Sequence, residues 1–272
     1  MASRNGYEPS HPPKDLIDTH AHLNHPKLLG QLDDILVRAR SAGISNVIVV
    51  GYDIATSETA VQLAEAYENV WAAVGVHPHD AKHVTNEYLT TLRMLAKSNK
   101  VVAVGETGLD FYRDLSPRQV QKEAFERQLD LADELDLPAI VHCRDAQEAV
   151  LSILERRDQK GIVWHCFDGN AEQAMRATAA GVTLGIGGRL TYRSAGQLRE
   201  VTTQLPLDSI VLETDCPYLT PEPMRGNDNE PAYLAVIAEY LATERCVENE
   251  EVERITSLAA RSIFSLIGTQ GF

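Results

Sequence analysis

Eight short apolar or β-branched runs recur along the 272-residue chain, and this alternation limits its fold more than any other feature. The runs are LIDTHAH, SNVIVVG, VWAAVGVH, VVAVGETG, PAIVHC, GIVWHC, VTLGIGG and SIVLETD. Stretches with helical periodicity lie between them, such as LLGQLDDILVRARSAG, SETAVQLAEAYE and SPRQVQKEAFERQLDLADELD. Ser116 and Pro117 read as a helix cap followed by proline at the first helical position, and Gly43 and Gly181 as helix C-termini. Eight strand–helix units in about 250 residues predict an α/β fold, a (β/α)8 TIM-type barrel. A doubly wound sheet would carry a glycine-rich phosphate loop after its first strand, where this chain has histidines. No linker or internal repeat interrupts the alternation. The expected organisation is a flexible N-terminal extension over 1–14 and a single barrel domain over 15–272.

The net charge of −14 excludes a passive nucleic-acid coat, which needs clustered Lys and Arg, but not an enzyme that grips nucleic acid locally. No apolar run approaches the ~18–20 residues of a membrane span. The first residues lack the basic flank and apolar core of a secretory signal, so a cytoplasmic protein is expected. Four cysteines without a Cys-x-x-Cys pair suit reduced thiols. Cys143, Cys166 and Cys216 each follow a candidate metal ligand, and strand alternation would turn them outward against helices.

In a barrel the active site lies at the C-terminal strand ends, and the metal-type residues collect there. His20 and His22 end the first run, His77 the third, Glu106 the fourth, His142 the fifth, His165 the sixth and Asp215 the eighth. His20 and His22 are spaced i, i+2, which aims both imidazoles to one face of a strand. A lone histidine is more often a hydrogen-bonded core residue, but Asp and Glu are rarely buried unpaired in apolar strands. The count suggests two divalent ions. His20, His22 and Asp215 suit one, His142 and His165 the other, and Glu106 stands between them. Imidazole and carboxylate ligands favour Zn²⁺, Mn²⁺ or Fe²⁺ and accommodate Mg²⁺ less readily. Such a pair activates water for hydrolysis.

In this order DTHAHL, GVHPH, GETGLDF, VHCRDA, HCFDG and ETDCPYLTP, with RGNDNEP near position 225, resemble the TatD family of metal-dependent deoxyribonucleases in the amidohydrolase superfamily. The resemblance runs from about Leu16 to near the C-terminus. It implies a distorted barrel that hydrolyses phosphodiester bonds, typically from DNA 3′ ends, as a 3′-5′ exodeoxyribonuclease on single-stranded or frayed DNA. It also implies first-metal ligands His20, His22 and Asp215, second-metal ligands His142 and His165, and Glu106 shared, with Asp215 taking the proton of the attacking water. His77 is expected to meet a substrate phosphate. For His79 a surface loop role weighs equally.

Arg113, Arg144 and Arg225 are the candidate phosphate contacts, arginine offering two donors at once. Each also has an acidic neighbour for a salt bridge, Asp110, Asp145 and Asp228 respectively. Phe111 and Tyr112 suit base stacking, with one of them in the core. Asn229 is expected to fix the backbone of its loop, and His25 to be loop only. Two further readings stand beside the nuclease. One keeps the dinuclear barrel for a small amide, lactone or aminoacyl ester, although the superfamily's fourth-strand lysine is replaced here by Glu106. The other is a zinc-stabilised scaffold, which requires closed four-coordinate sites. EVERITSLAARSIFSLIG is expected to close the barrel, and a monomer is favoured over a dimer formed through it.

Overall fold

A computed structural model of the chain describes residues 15–158 and 160–266, so the expected extension lies outside the described residues. Eight strands form one parallel sheet in sequential order: β1 (Leu16–Ala21), β2 (Ile44–Val50), β3 (Val70–Val74), β4 (Val101–Asp110), β5 (Ala139–Arg144), β6 (Ile162–Trp164), β7 (Val182–Ile186) and β8 (Ile210–Leu212). The α-helices are α1 (Pro26–Leu29), α2 (Leu32–Ser41), α3 (Ile54–Ala66), α4 (Asn86–Leu95), α5 (Arg118–Leu135), α6 (Gln147–Leu154), α7 (Ala171–Ala179), α8 (Gly196–Gln204), α9 (Leu234–Arg245) and α10 (Asn249–Phe264). This is the (β/α)8 barrel that the alternation predicts.

The ring closes between β8 and β1 with few backbone bonds. The Asp215 N–H donates to the His20 carbonyl and the His22 N–H to that of Cys216, both at 2.8 Å. Side chains carry the rest of the seam. Asp18 accepts from the Thr214 N–H at 2.9 Å and from its hydroxyl at 2.6 Å, while the Thr19 hydroxyl donates to the Leu212 carbonyl. Burial pushes the Asp18 carboxyl up to about 7.

Most apolar side chains fill the layer between strands and helices. A second cluster fills the barrel interior, where Ile17, Ile48, Ile140 and Val211 meet Phe264 and Leu266 at the end of α10. The C-terminal helix thus closes the end of the barrel opposite the site, as its amphipathic pattern suggests.

Strand bounds differ from the expected ones where the ligands sit. β4 runs four residues past Glu106 and β5 two past His142, whereas β3 and β8 stop three before His77 and Asp215. β1 shifts register between Asp18 and Ala21, and β4 between Val104 and Thr107. Such bulges break strict alternation and re-aim side chains. This allows Ile17 and His20, on opposite faces of a regular strand, both to serve the interior. Gly43 and Gly181 follow α2 and α7 at φ +88° and +78°, as helix C-termini require. Helix α5, however, starts after Pro117 without a side-chain cap. Ser116 instead donates to the His79 carbonyl and accepts from the Lys82 N–H, tying two site loops together.

Candidate metal centre

The C-terminal strand ends surround a cleft of about 830 Å³, lined among others by His22, His77, Glu106, His142, His165 and Asp215. Glu106 is buried at its centre, and its two oxygens face different partners. Oε2 lies 3.6 Å from His20 Nε2 and 3.7 Å from His22 Nε2, and Asp215 Oδ1 lies 3.4 Å from His22 Nε2. Oε1 lies 2.7 Å from His142 Nδ1, 3.2 Å from His165 Nε2 and 3.6 Å from His77 Nε2. Ligand atoms of His20, His22 and Asp215 fall within 4.8 Å of one another, as do those of His20, Glu106 and His165, and of His77, Glu106 and His142. All six predicted ligands therefore converge around one carboxylate.

The donor set fits cations. His22 Nδ1 is 3.0 Å from the Val50 carbonyl, which can only accept, so the ring proton sits on Nδ1 and Nε2 turns a lone pair to the cleft. His20 Nε2 approaches that lone pair at 3.3 Å, and two buried carboxylates stand on the same side. His77 has the opposite wiring. Its Nδ1 accepts the His79 N–H at 3.1 Å, which leaves the proton on Nε2 and makes that atom a donor.

Charge follows this geometry. Burial raises the Glu106 carboxyl, but the charge of His165 and hydrogen bonds from His142 and His165 hold it well below the usual range. Asp215 is likewise lowered, with burial outweighed by His22 and its histidine neighbours. Burial opposes charge on His22 and His142, yet Asp215 raises the first, and Asp110 with Glu106 the second. His77 is held well below the imidazole range by burial and by His142. These groups titrate as one coupled cluster.

Asp215 stands at φ +56°, a left-handed position that aspartate tolerates, so the chain turns where the ligand is presented. Asn229 is buried beneath this turn, donating to the Thr214 carbonyl at 2.8 Å and the Tyr218 carbonyl at 2.6 Å, and so fixes its loop. His25 does more than fill a loop, since its ring accepts the Lys27 N–H and caps α1.

Arg113 and Arg144 line the cleft. The Arg113 backbone N–H donates to Asp110, and the Arg144 guanidinium lies 3.9 Å from the centroid of the exposed Tyr112 ring, while Phe111 packs against the core. Arg225 is not among the cleft-lining residues. It lies over Tyr192 and 3.5 Å from Glu222, and Asp228 pairs with Lys27 instead. His79 is drawn into the site by a 2.9 Å contact with Asp110.

Cysteine placement needs a correction. Cys216 is buried in the strand–helix layer and Cys143, packed in the same layer, also reaches the cleft wall, while Cys166 lines the cleft beside His165 and Glu213. β6 ends at Trp164 and Cys166 takes φ +47°, so strand alternation no longer governs it. Several residues escape sequence reasoning as members of the site, among them Asp110, Glu213 and Arg189. Asp110 touches His79 and His142, Glu213 faces His165, and Arg189 lines the cleft while paired with Asp168. Glu213 carried a signal, being i, i−2 from Asp215.

A family model described as TatD related DNase matches residues 17–265. The chain is 40% identical to the metal-dependent hydrolase YabD of Bacillus subtilis, over 92% of this chain and 99% of that one. It is 39% identical to the 3′-5′ ssDNA/RNA exonuclease TatD of Erwinia amylovora, over 92% and 100% of the two chains. Among solved structures, YJJV, a TatD homologue from Escherichia coli, superposes with a TM-score of 0.87 at 32% identity, covering 93% of this chain and 98% of that one.

Proposed function

The chain belongs to the TatD-related DNase family of metal-dependent hydrolases, enzymes acting on phosphodiester bonds, and from that premise we propose that it is a 3′-5′ exonuclease on single-stranded or frayed DNA ends. The observation that carries the reading is the division of Glu106, one oxygen toward His20 and His22, the other toward His142 and His165. His20, His22 and Asp215 would hold one ion, His142 and His165 a second, and Glu106 would be shared between them. Zn²⁺ and Mn²⁺ suit this set best, with Mg²⁺ a weaker fit. When bound, the ions supply Lewis-acid polarisation of the phosphodiester and a lowered pKa for the attacking water.

The chain's own groups do the rest. Asp215 stays ionised beside His22 and accepts the proton of the attacking water. His77, kept neutral, donates its Nε2–H to a phosphate oxygen. Arg113 and Arg144 hold the phosphates at the mouth, and Tyr112 stacks the terminal base beneath Arg144. Arg225, engaged with Glu222 and Tyr192, has no part in this grip.

The test uses a 5′-labelled single-stranded DNA oligonucleotide and its RNA counterpart, with metal-loaded protein, the same protein in EDTA, and the Glu106→Ala variant. The expected result is a ladder that shortens from the 3′ end and vanishes in both controls. Intact oligonucleotides with Zn²⁺, Mn²⁺ and Mg²⁺ in turn, from protein that carries bound metal, would refute the nucleic-acid substrate. Cleavage that first appears inside the strand would refute the exonuclease mode.

A further inference from the structure

We propose that Tyr218 is the stacking platform for the penultimate base of the strand, facing Tyr112 across the cleft. The inference rests on the reading above, in which the last phosphodiester of a single strand lies at the centre and Tyr112 takes the terminal base. Among the described Phe, Tyr and Trp residues two are exposed, Tyr112 at 60% and Tyr218 at 50%, and both line the cleft. Apolar surface residues scattered singly are ordinary, but two bare rings at one cleft mark a place where a ligand covers them.

The barrel puts the two rings on opposite walls. Its strands run in sequential order, so β4 and β8 are diametrically opposed in the ring. Tyr112 follows β4 and Tyr218 follows β8. Between them stands Glu106, with Oε1 toward His142 and Oε2 toward His22. Tyr218 is on the His22 side, its ring centroid 6.1 Å from that of His22 and 5.8 Å from that of His25, edge to face in both pairs. Tyr112 is on the His142 side, under the Arg144 guanidinium. A phosphodiester held at the centre carries one nucleoside to each side, so the two bases meet one ring each. The Tyr218 backbone is fixed at both ends: its N–H donates to the Asp215 carbonyl at 2.9 Å, and its carbonyl accepts the Asn229 amide at 2.6 Å. A ring presented on such a fixed backbone loses little freedom when a base covers it. Every base has a π face, so the platform tolerates any sequence, as stepwise shortening of a strand requires.

Deleting bases by position tests the assignment. The probe is a 5′-fluorescein-labelled single-stranded DNA oligonucleotide whose last linkage has both bridging oxygens replaced by methylene, which prevents cleavage there. It is made intact, with hydrogen in place of the penultimate base, and with hydrogen in place of the terminal base. Dissociation constants for the Zn²⁺-loaded full chain are read by fluorescence anisotropy. Loss of the penultimate base should weaken binding to wild type about 5–100-fold, the range for one base–aromatic stack. Tyr218→Ala should bind the intact strand more weakly by a similar factor, and should then respond to loss of the penultimate base by less than about twofold. It should still respond to loss of the terminal base as wild type does. Tyr218→Phe, which keeps the ring, should retain most of the affinity and the response to the penultimate base.

Wild type that binds the strand equally well with and without its penultimate base overturns the inference, whether or not any variant folds. A loss in Tyr218→Ala that is the same on all three strands also overturns it, because Tyr218 would then only shape the cleft. So does a loss that disappears with the terminal base instead. Wild type that neither binds nor cleaves single-stranded DNA refutes the nuclease reading and this inference with it. Cleavage of the natural strand, joined to indifference to the penultimate base, refutes the role of Tyr218 alone.

Discussion

Acidification should release the two ions unequally. A metal can occupy an imidazole only after its proton leaves, so each protonated ligand lowers metal affinity about tenfold per pH unit. For the second ion both imidazoles are raised. Burial works against charge on His142, but Asp110 and Glu106 overcome it, and on His165 burial is overcome first by Cys166 and then by Glu106 and Glu213. For the first ion only His22 is raised, while burial and the charge of His165 lower His20. Glu106 and Asp215 are lowered and stay ionised throughout.

Because a raised pKa means that protons bind earlier as the pH falls, second-ion affinity should begin to drop above the ordinary imidazole value of about 6.5. The slope should approach two protons, about a hundredfold or 2.7 kcal/mol per pH unit. The first ion should lose about tenfold per unit in the same window, until His20 titrates at lower pH. Titration of metal-free protein with Zn²⁺ under chelator competition, from about pH 8 down to pH 5.5, reads both slopes across the imidazole range. Equal slopes, or a steeper loss of the first ion, would refute this account of the cluster.

Three further outcomes are expected. Asn229→Ala should cost about 1–3 kcal/mol in urea unfolding, because the Thr214 and Tyr218 carbonyls lose their donor, and should lower activity through the displaced Asp215. Phe264→Ala, at the closed end of the barrel, should cost about 3–5 kcal/mol by the same assay while leaving both metal affinities within twofold of wild type, a roughly flat response. Arg144→Ala should raise KM for an oligonucleotide with little change in kcat, and should reduce the salt-dependence slope of binding by about 0.7.

The sequence by itself determines the alternation of elements, and with it the barrel, because strand and helix periods are local properties of neighbouring residues. It also determines that histidines and carboxylates gather at one end, since a parallel barrel brings every strand terminus to the same rim. His20, His22, Glu106, His142, His165 and Asp215 are found that way. What only the tertiary structure decides is how these groups face one another. Bulges in β1 and β4 set the aim of His20 and Glu106, and a bulge depends on pairing with another strand. Asp18 meets Thr214 across 196 positions of chain, and Glu213 meets Cys166 across 47, separations at which sequence spacing carries no directional information. Arg225 turns to Tyr192 and Glu222, while Cys166 turns inward once its strand has ended. Ring protonation of His22 and His77 is likewise tertiary, set by whichever acceptor or donor the fold places behind each imidazole.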